Sequence, residues 1–301
     1  RLLEMGRTGN ATAKMFLPSL SGAGKLANIV AVLPGTSDKE VLVTAHYDSV
    51  MGAGYMDNAG GVAAMLETAR CMVEAKGQGW NPACTVRFIA FTGEEMYLLG
   101  STIYASQHGS ELANVKAVIN LDCLGGKQLM VSKPIDESKL QMVKIVMREA
   151  NRLGVDIAES EEVGGSDQYS FQRPSENIAT LDSLWHLSIS RQDLTILSDV
   201  VMISSEPLTI FDSLDGEIGL IHTSFDRPNV ADYPDWMNDT RFFEQARVAV
   251  SVAAVLAQDV DGPVIKEGID ATLFVAIGFA VVVLIVVLAY ASLRKQKKGM
   301  E

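Results

Sequence analysis

Short apolar runs broken by polar or glycine residues set the rhythm of the first half of the chain. Residues 27–33, 41–45, 86–91 and 115–121 are each rich in Val, Ile, Leu or Phe, and each ends at polar or Gly positions, the pattern of buried strands. Between them, residues 59–74 place Val62, Leu66, Ala69 and Val73 at helical spacing, and residues 138–153 do the same with Leu140, Val143, Val146, Met147 and Ala150 before Gly154. A last helix is predicted over 240–257. Strands that alternate with helices imply an α/β three-layer sandwich, with a mainly parallel central sheet flanked by helices. Residues 174–205 show no convincing element and leave room for an inserted cap on the sheet.

The C-terminus follows a different pattern. Residues 271–293 carry no charged side chain, and at about 1.5 Å of rise per residue such a stretch crosses a hydrocarbon layer of roughly 30 Å. Arg294, Lys295, Lys297 and Lys298 follow at once, and basic residues stay on the cytoplasmic side. The sequence therefore predicts one globular domain over 1–258, a juxtamembrane connection over 259–270, a single transmembrane helix over 271–293 and a basic cytoplasmic tail over 294–301. The expected location is the cell membrane, with the globular domain extracytoplasmic. Residues 1–16 read as the middle of a segment already under way, so a further N-terminal stretch is expected.

Charge narrows the partners. Lys and Arg total 25 against 37 Asp and Glu, a formal net charge of -12, which disfavours nucleic acid and suits peptides or small molecules. Cys71, Cys84 and Cys123 show no CxxC spacing, and an odd number cannot all pair within one chain. They read as small core residues.

Candidate chemistry gathers at the ends of the predicted strands. The run 41–45 ends in His46-Tyr47-Asp48, with imidazole and carboxylate two residues apart on one side of an extended segment. Asp57 stands just before a helix of small residues, where an ordinary N-cap is the simpler reading. The run 86–91 leads into Glu94-Glu95, adjacent carboxylates that repel unless cations compensate them. Asp122 closes an almost wholly apolar strand, where a lone carboxylate loses hydration without a partner. His222 precedes Thr223-Ser224-Phe225-Asp226. Each signal is weak alone, but ligands in open α/β sheets bind outside the carboxyl ends of the strands. Imidazole with carboxylate suits Zn²⁺ better than Mg²⁺ or Ca²⁺, with Mn²⁺ or Co²⁺ as alternatives.

The strings HYDSV, DNAGGVAAMLETAR, FTGEEMYLLGS, NLDCLG, GGSDQYSF and IHTSFDRPN resemble, in that order, the motifs of the zinc aminopeptidase family of co-catalytic metallopeptidases. That family includes bacterial leucyl aminopeptidases and aminopeptidase Y, and is related to glutamate carboxypeptidase and the glutaminyl cyclases. The resemblance implies that Asp57 bridges two zinc ions, with His46 and Asp122 completing one site and Glu95 and His222 the other. It also implies that Asp48 orients His46 and that Glu94 is the general base of peptide-bond hydrolysis. Gln168 stands where the family often has His, and DRPN departs from its commoner DTxDN. A membrane-anchored aminopeptidase acting on peptides is the expected function. Carboxypeptidase or cyclase activity on the same site, and a non-catalytic binding role like that of nicastrin in a membrane complex, are the alternatives.

Overall fold

The computed structural model describes residues 26–50, 52–133, 140–160, 165–191, 194–205, 221–222, 226–227 and 239–258. All of them belong to the first of the two units into which the chain divides, Arg1–Asp259. Strands β1 (Ile29–Leu33), β2 (Glu40–His46), β3 (Thr85–Phe91) and β4 (Val115–Leu121) form where the apolar runs predict them. They join β5 (Leu129–Ser132), β6 (Ile157–Ser160) and β7 (Val200–Ser205) in one seven-stranded sheet of order β1-β3-β2-β4-β7-β5-β6. The pairs β2·β3, β2·β4, β4·β7 and β5·β6 are parallel, whereas β1·β3 and β5·β7 are antiparallel. The sheet is thus mixed and mainly parallel.

Alternation along the central strands sorts side chains between two cores. Val41, Val43 and Ala45 of β2 and Ala117, Ile119 and Leu121 of β4 face one side. There they meet α1 (Gly61–Gly77), α4 (Gln141–Leu153) and α7 (Asp239–Ala257), which supply Met65, Met72, Val143, Val146, Val252 and Leu256. Leu42 and Val118 face the other side, against Tyr104 of α2 (Leu99–Gln107), Leu112 of α3 (Gly109–Leu112) and Phe171 of α5 (Tyr169–Gln172). By the same period of two, Thr44 and His46 of β2 fall on this second face, as do Asn120 and then Asp122 at the end of β4. Because β2, β3 and β4 run parallel, their carboxyl ends open along one edge of the sheet.

Residues 174–205 depart from expectation. They hold α6 (Pro174–Trp185) and the strand β7, which lies inside the sheet next to β4. The helix is hard to read because it buries only Pro174, Ile178 and Leu181, too few to make a periodic stripe. The strand is hard to read because only four apolar residues, Val200 to Ile203, precede Ser204 and Ser205. Among the described residues, no helix is long and apolar enough to cross a membrane. The predicted span at 271–293 lies outside them.

Helices α4 and α7 are joined through one buried carboxylate and its partners. Glu149 is fully buried and accepts from Arg148 at 2.9 Å, Arg152 at 2.9 Å and Ser251 of α7 at 2.7 Å. Burial pushes the Glu149 carboxyl up, but Ser251, Arg152 and Arg148 outweigh it and hold the group below the usual range. Glu149→Ala should therefore cost about 1–2 kcal/mol at neutral pH, because it removes the acceptor of the buried Ser251 hydroxyl and of two charged donors. A lowered folded-state pKa contributes stability in full above the unfolded value, about 4.3, and loses it as pH falls through the folded value. Denaturant unfolding at several pH values checks both points: the gap between the two proteins should be wide at pH 7 and narrow progressively as pH falls below ~4.

Candidate metal centre

The last residue of β2 places His46 at the sheet edge, where it is almost fully buried. A wide turn at Tyr55–Gly60, in which Asp57 and Asn58 leave helical geometry, brings Asp57 up beside it at the start of α1. The turn after β3 carries Glu94 and Glu95, and Asp122 follows β4 directly. His222 completes the set from a distant part of the chain. Gly61 must be a glycine here, since a Cβ would strike the Asn58 amide and the Leu121 carbonyl.

The contacts divide in two. His46 Nε2 lies 3.0 Å from Asp57 Oδ1 and 3.3 Å from Asp122 Oδ1. His222 Nε2 lies 2.9 Å from Asp57 Oδ2 and 3.1 Å from Glu95 Oε2. Each oxygen of Asp57 therefore serves a different histidine, and each histidine has one further carboxylate of its own. All five residues that the sequence singles out as ligands meet in this cluster.

Its electrostatics call for cations. Hydrogen bonds to Asp57 and Glu95 push His222 up to about 10. Burial opposes charging of Asp57, yet the bonds to His222 and His46 hold its carboxyl well below the usual range. Burial pushes Glu94 up, the His46 imidazole pulls it back, and the carboxylates of Asp122, Asp167 and Glu95 push it up again. Asp167, buried to exclusion of water, is raised to about 7 by desolvation, and neither carboxyl oxygen finds a well-formed hydrogen bond. Glu95 Oε1 is likewise buried without a partner. Two imidazoles stand among a surplus of carboxylates, a charge balance that divalent ions would correct.

The donor set fits zinc. Donors around a tetrahedral ion at 2.0–2.2 Å stand about 3.3 Å from one another, close to the spacings of both half-sites. One donor atom each from His46, Asp57 and Glu95 lie within 4.8 Å of one another, and so do those of Asp57, Asp122 and Cys123. Cys123 was expected only as a core residue; the structure buries it against the site. Burial, with Asp122 and Asp57 beside it, pushes its thiol well up and keeps it a thiol rather than a thiolate.

Asp48 does more than its expected task. His46 Nδ1 meets the Asp48 backbone carbonyl at 3.1 Å, while the carboxyl Oδ1 stands at 3.6 Å. The Asp48 carboxylate instead accepts the backbone N–H groups of Glu94 and Glu95, both at 3.2 Å. It thus fixes the turn that carries both glutamates. Asn58, which sequence reasoning passed over, donates to the Leu121 carbonyl at 2.9 Å and accepts from Gly61 N at 2.8 Å and Cys123 N at 3.3 Å. Its position directly after Asp57 was the available clue. Beneath His46 and Asp122, Asn120 accepts from Thr44 at 2.8 Å and donates to Ser166 at 2.9 Å and Gln168 at 3.2 Å. This gives Gln168 a place under the site.

The sequence pattern of peptidase family M28 matches residues 28–249, a stretch that spans every residue of the cluster. The chain belongs to this family. A probable leucine aminopeptidase of Trichophyton verrucosum is 38% identical over 109 residues, 33% of this chain and 30% of that protein. A probable zinc metalloprotease of Pyricularia oryzae is 37% identical over 112 residues, 34% of this chain and 21% of that protein. The matched stretch is thus under a third of each relative's length. Among solved structures, the Bacillus subtilis zinc aminopeptidase aligns with a TM-score of 0.57 at 22% identity, over 79% of this chain and 51% of that one. An aminopeptidase from Aneurinibacillus sp. strain AM-1 aligns at 0.54 and 22%, over 81% and 50%. Both likenesses establish the α/β fold of the M28 domain, and this chain spans about half their length.

If the cluster is a zinc site, adding zinc to metal-free protein should raise its melting temperature, since free ion at ~100 times Kd is worth about 2.7 kcal/mol. Asp57→Asn should abolish most of that rise, because it disturbs both half-sites at once. Thermal melts of the two proteins with and without zinc check this.

Proposed function

We propose that this M28 domain is a zinc-dependent exopeptidase, an aminopeptidase, that hydrolyses peptide bonds with Glu94 as general base and with ions held by His46, Asp57, Glu95, Asp122 and His222. The observation that carries the reading is the division of the Asp57 carboxylate between His46 and His222, which suits a pair of ions rather than one. Zinc bound there would supply a Lewis acid for the scissile carbonyl and lower the pKa of attacking water.

The chain's own residues do the rest. Glu94 takes a proton as the water oxygen bonds to the carbonyl carbon, and delivers it to the amine as the C–N bond breaks. Its turn is held through Asp48, which accepts the Glu94 backbone N–H. Asp48 holds His46 at Nδ1 through its backbone carbonyl, which leaves Nε2 turned toward Asp57 and Asp122, while His222 turns its Nε2 toward Asp57 and Glu95. Aminopeptidase action in particular is supported by the ordered motifs and by relatives named as aminopeptidases. We also propose that residues 271–293 anchor the domain outside the cytoplasm, on the strength of their uncharged run and the basic residues after it.

Glu94→Gln should bind zinc like the parent and lose about 10²–10⁴-fold in kcat, measured on fluorogenic aminoacyl substrates after metal analysis. Full activity in a zinc-loaded variant would rule out the role of Glu94. Cleavage of N-blocked but not free-amine substrates would keep the centre and replace the aminopeptidase by another exopeptidase.

A further inference from the structure

Asp226 is almost completely buried, four residues on from His222. Its carboxylate accepts the Met56 N–H at 2.8 Å through Oδ1 and the Asp57 N–H at 3.1 Å through Oδ2, and its backbone carbonyl faces the Tyr55 N–H at 3.4 Å. Three successive backbone donors of one turn thus converge on one distant residue. Burying a carboxylate is costly unless its oxygens are satisfied, and here backbone dipoles do the satisfying. Asn58 meanwhile ties the other end of the same turn to β4. Between the two ties stands Asp57, whose backbone is non-helical with φ -111 and ψ 91.

We propose that Asp226 is a positioning residue that sets the direction of the shared Asp57 carboxylate by gripping the backbone N–H groups of its turn. The inference rests on the reading of Asp57 as a metal ligand. The same design recurs at Asp48, whose carboxylate grips Glu94 N and Glu95 N, so each of the two turns that supply ligands to the second half-site is held by a carboxylate from elsewhere in the chain. Asp226 also lies on the segment that brings His222. It therefore ties the position of that histidine to that of the carboxylate it touches.

Asp226→Asn keeps the shape but turns an amide donor toward one of the backbone donors. Outer partners of metal ligands are typically worth ~10–100-fold in affinity. Zinc affinity measured by chelator competition on the full chain should accordingly weaken at least ~10-fold, and the visible spectrum of the cobalt-substituted protein should change. On peptide substrates kcat should fall by about tenfold with KM within about twofold, as expected when the reacting centre and not substrate binding is disturbed. Asp226→Ala, which removes both acceptors, should weaken zinc binding at least as much as Asp226→Asn. Melting of the metal-free proteins verifies that each is folded. If neither variant folds, hydrogen exchange on the parent decides: the Met56 and Asp57 amides should be protected in metal-free protein, and exchange at the rate of exposed loops would overturn the proposal. Folded Asp226→Asn with parental zinc affinity and cobalt spectrum would also overturn it, leaving the metal centre intact. A parent that takes up neither metal would overturn the centre and this inference together.

Discussion

The carboxylate of Asp57 is shared by His46 and His222, at 3.0 and 2.9 Å, and the architecture around the sheet edge is arranged to hold it there. A carboxylate with both oxygens committed has no freedom to rotate toward either partner alone. Its placement therefore demands that segments far apart in sequence arrive together: the end of β2, the turn before α1, the turn after β3, the end of β4 and the segment with His222. The parallel run of β2, β3 and β4 brings three of these to one edge. The remaining two are brought by backbone hydrogen bonds rather than by strand pairing.

Those hydrogen bonds explain how a fold tolerates so many acids in so small a space. Asp48 and Asp226 are not ligands in this reading, yet each satisfies its oxygens on successive backbone N–H groups of a ligand-bearing turn. Asn58 and Asn120 do the equivalent with amides, tying one loop to the end of β4 and another beneath it. The charge left over belongs to Glu94, Glu95, Asp122 and Asp57, and it is compensated only in part by two imidazoles. Fully buried apolar residues contribute about 1.5–3 kcal/mol each, so the two cores flanking the sheet can offset an edge that favours bound cations over stability of the empty domain.

How legible this was depends on the length and spacing of each signal. Strands β2, β3 and β4 are long apolar runs with the candidate ligands at or just beyond their ends, and sequence alone located the strands and the residues that gather at their ends. Four-residue strands such as β5 and β6 give too few positions for a period to show, and β7 hides beside a serine pair. Helix α6 buries three residues of its length and so lacks a stripe. Within the site, the candidate ligands stand out because their motifs stand in order, whereas Asp226 and Asn58 act through the backbone of other segments, a relation that residue type does not encode. Asp48 was noticed but for the smaller part of what it does, since its distance to His46 Nδ1 is longer than its reach to Glu94 N and Glu95 N.

In the proposed centre the Asp57 carboxylate joins two ions. Anomalous diffraction at the zinc edge from crystals grown with zinc tests it most directly. Two peaks about 3.5–4 Å apart, with Asp57 between them, His46 and Asp122 at one and Glu95 and His222 at the other, are the predicted result. A single peak, or two peaks that do not share Asp57, would contradict the account.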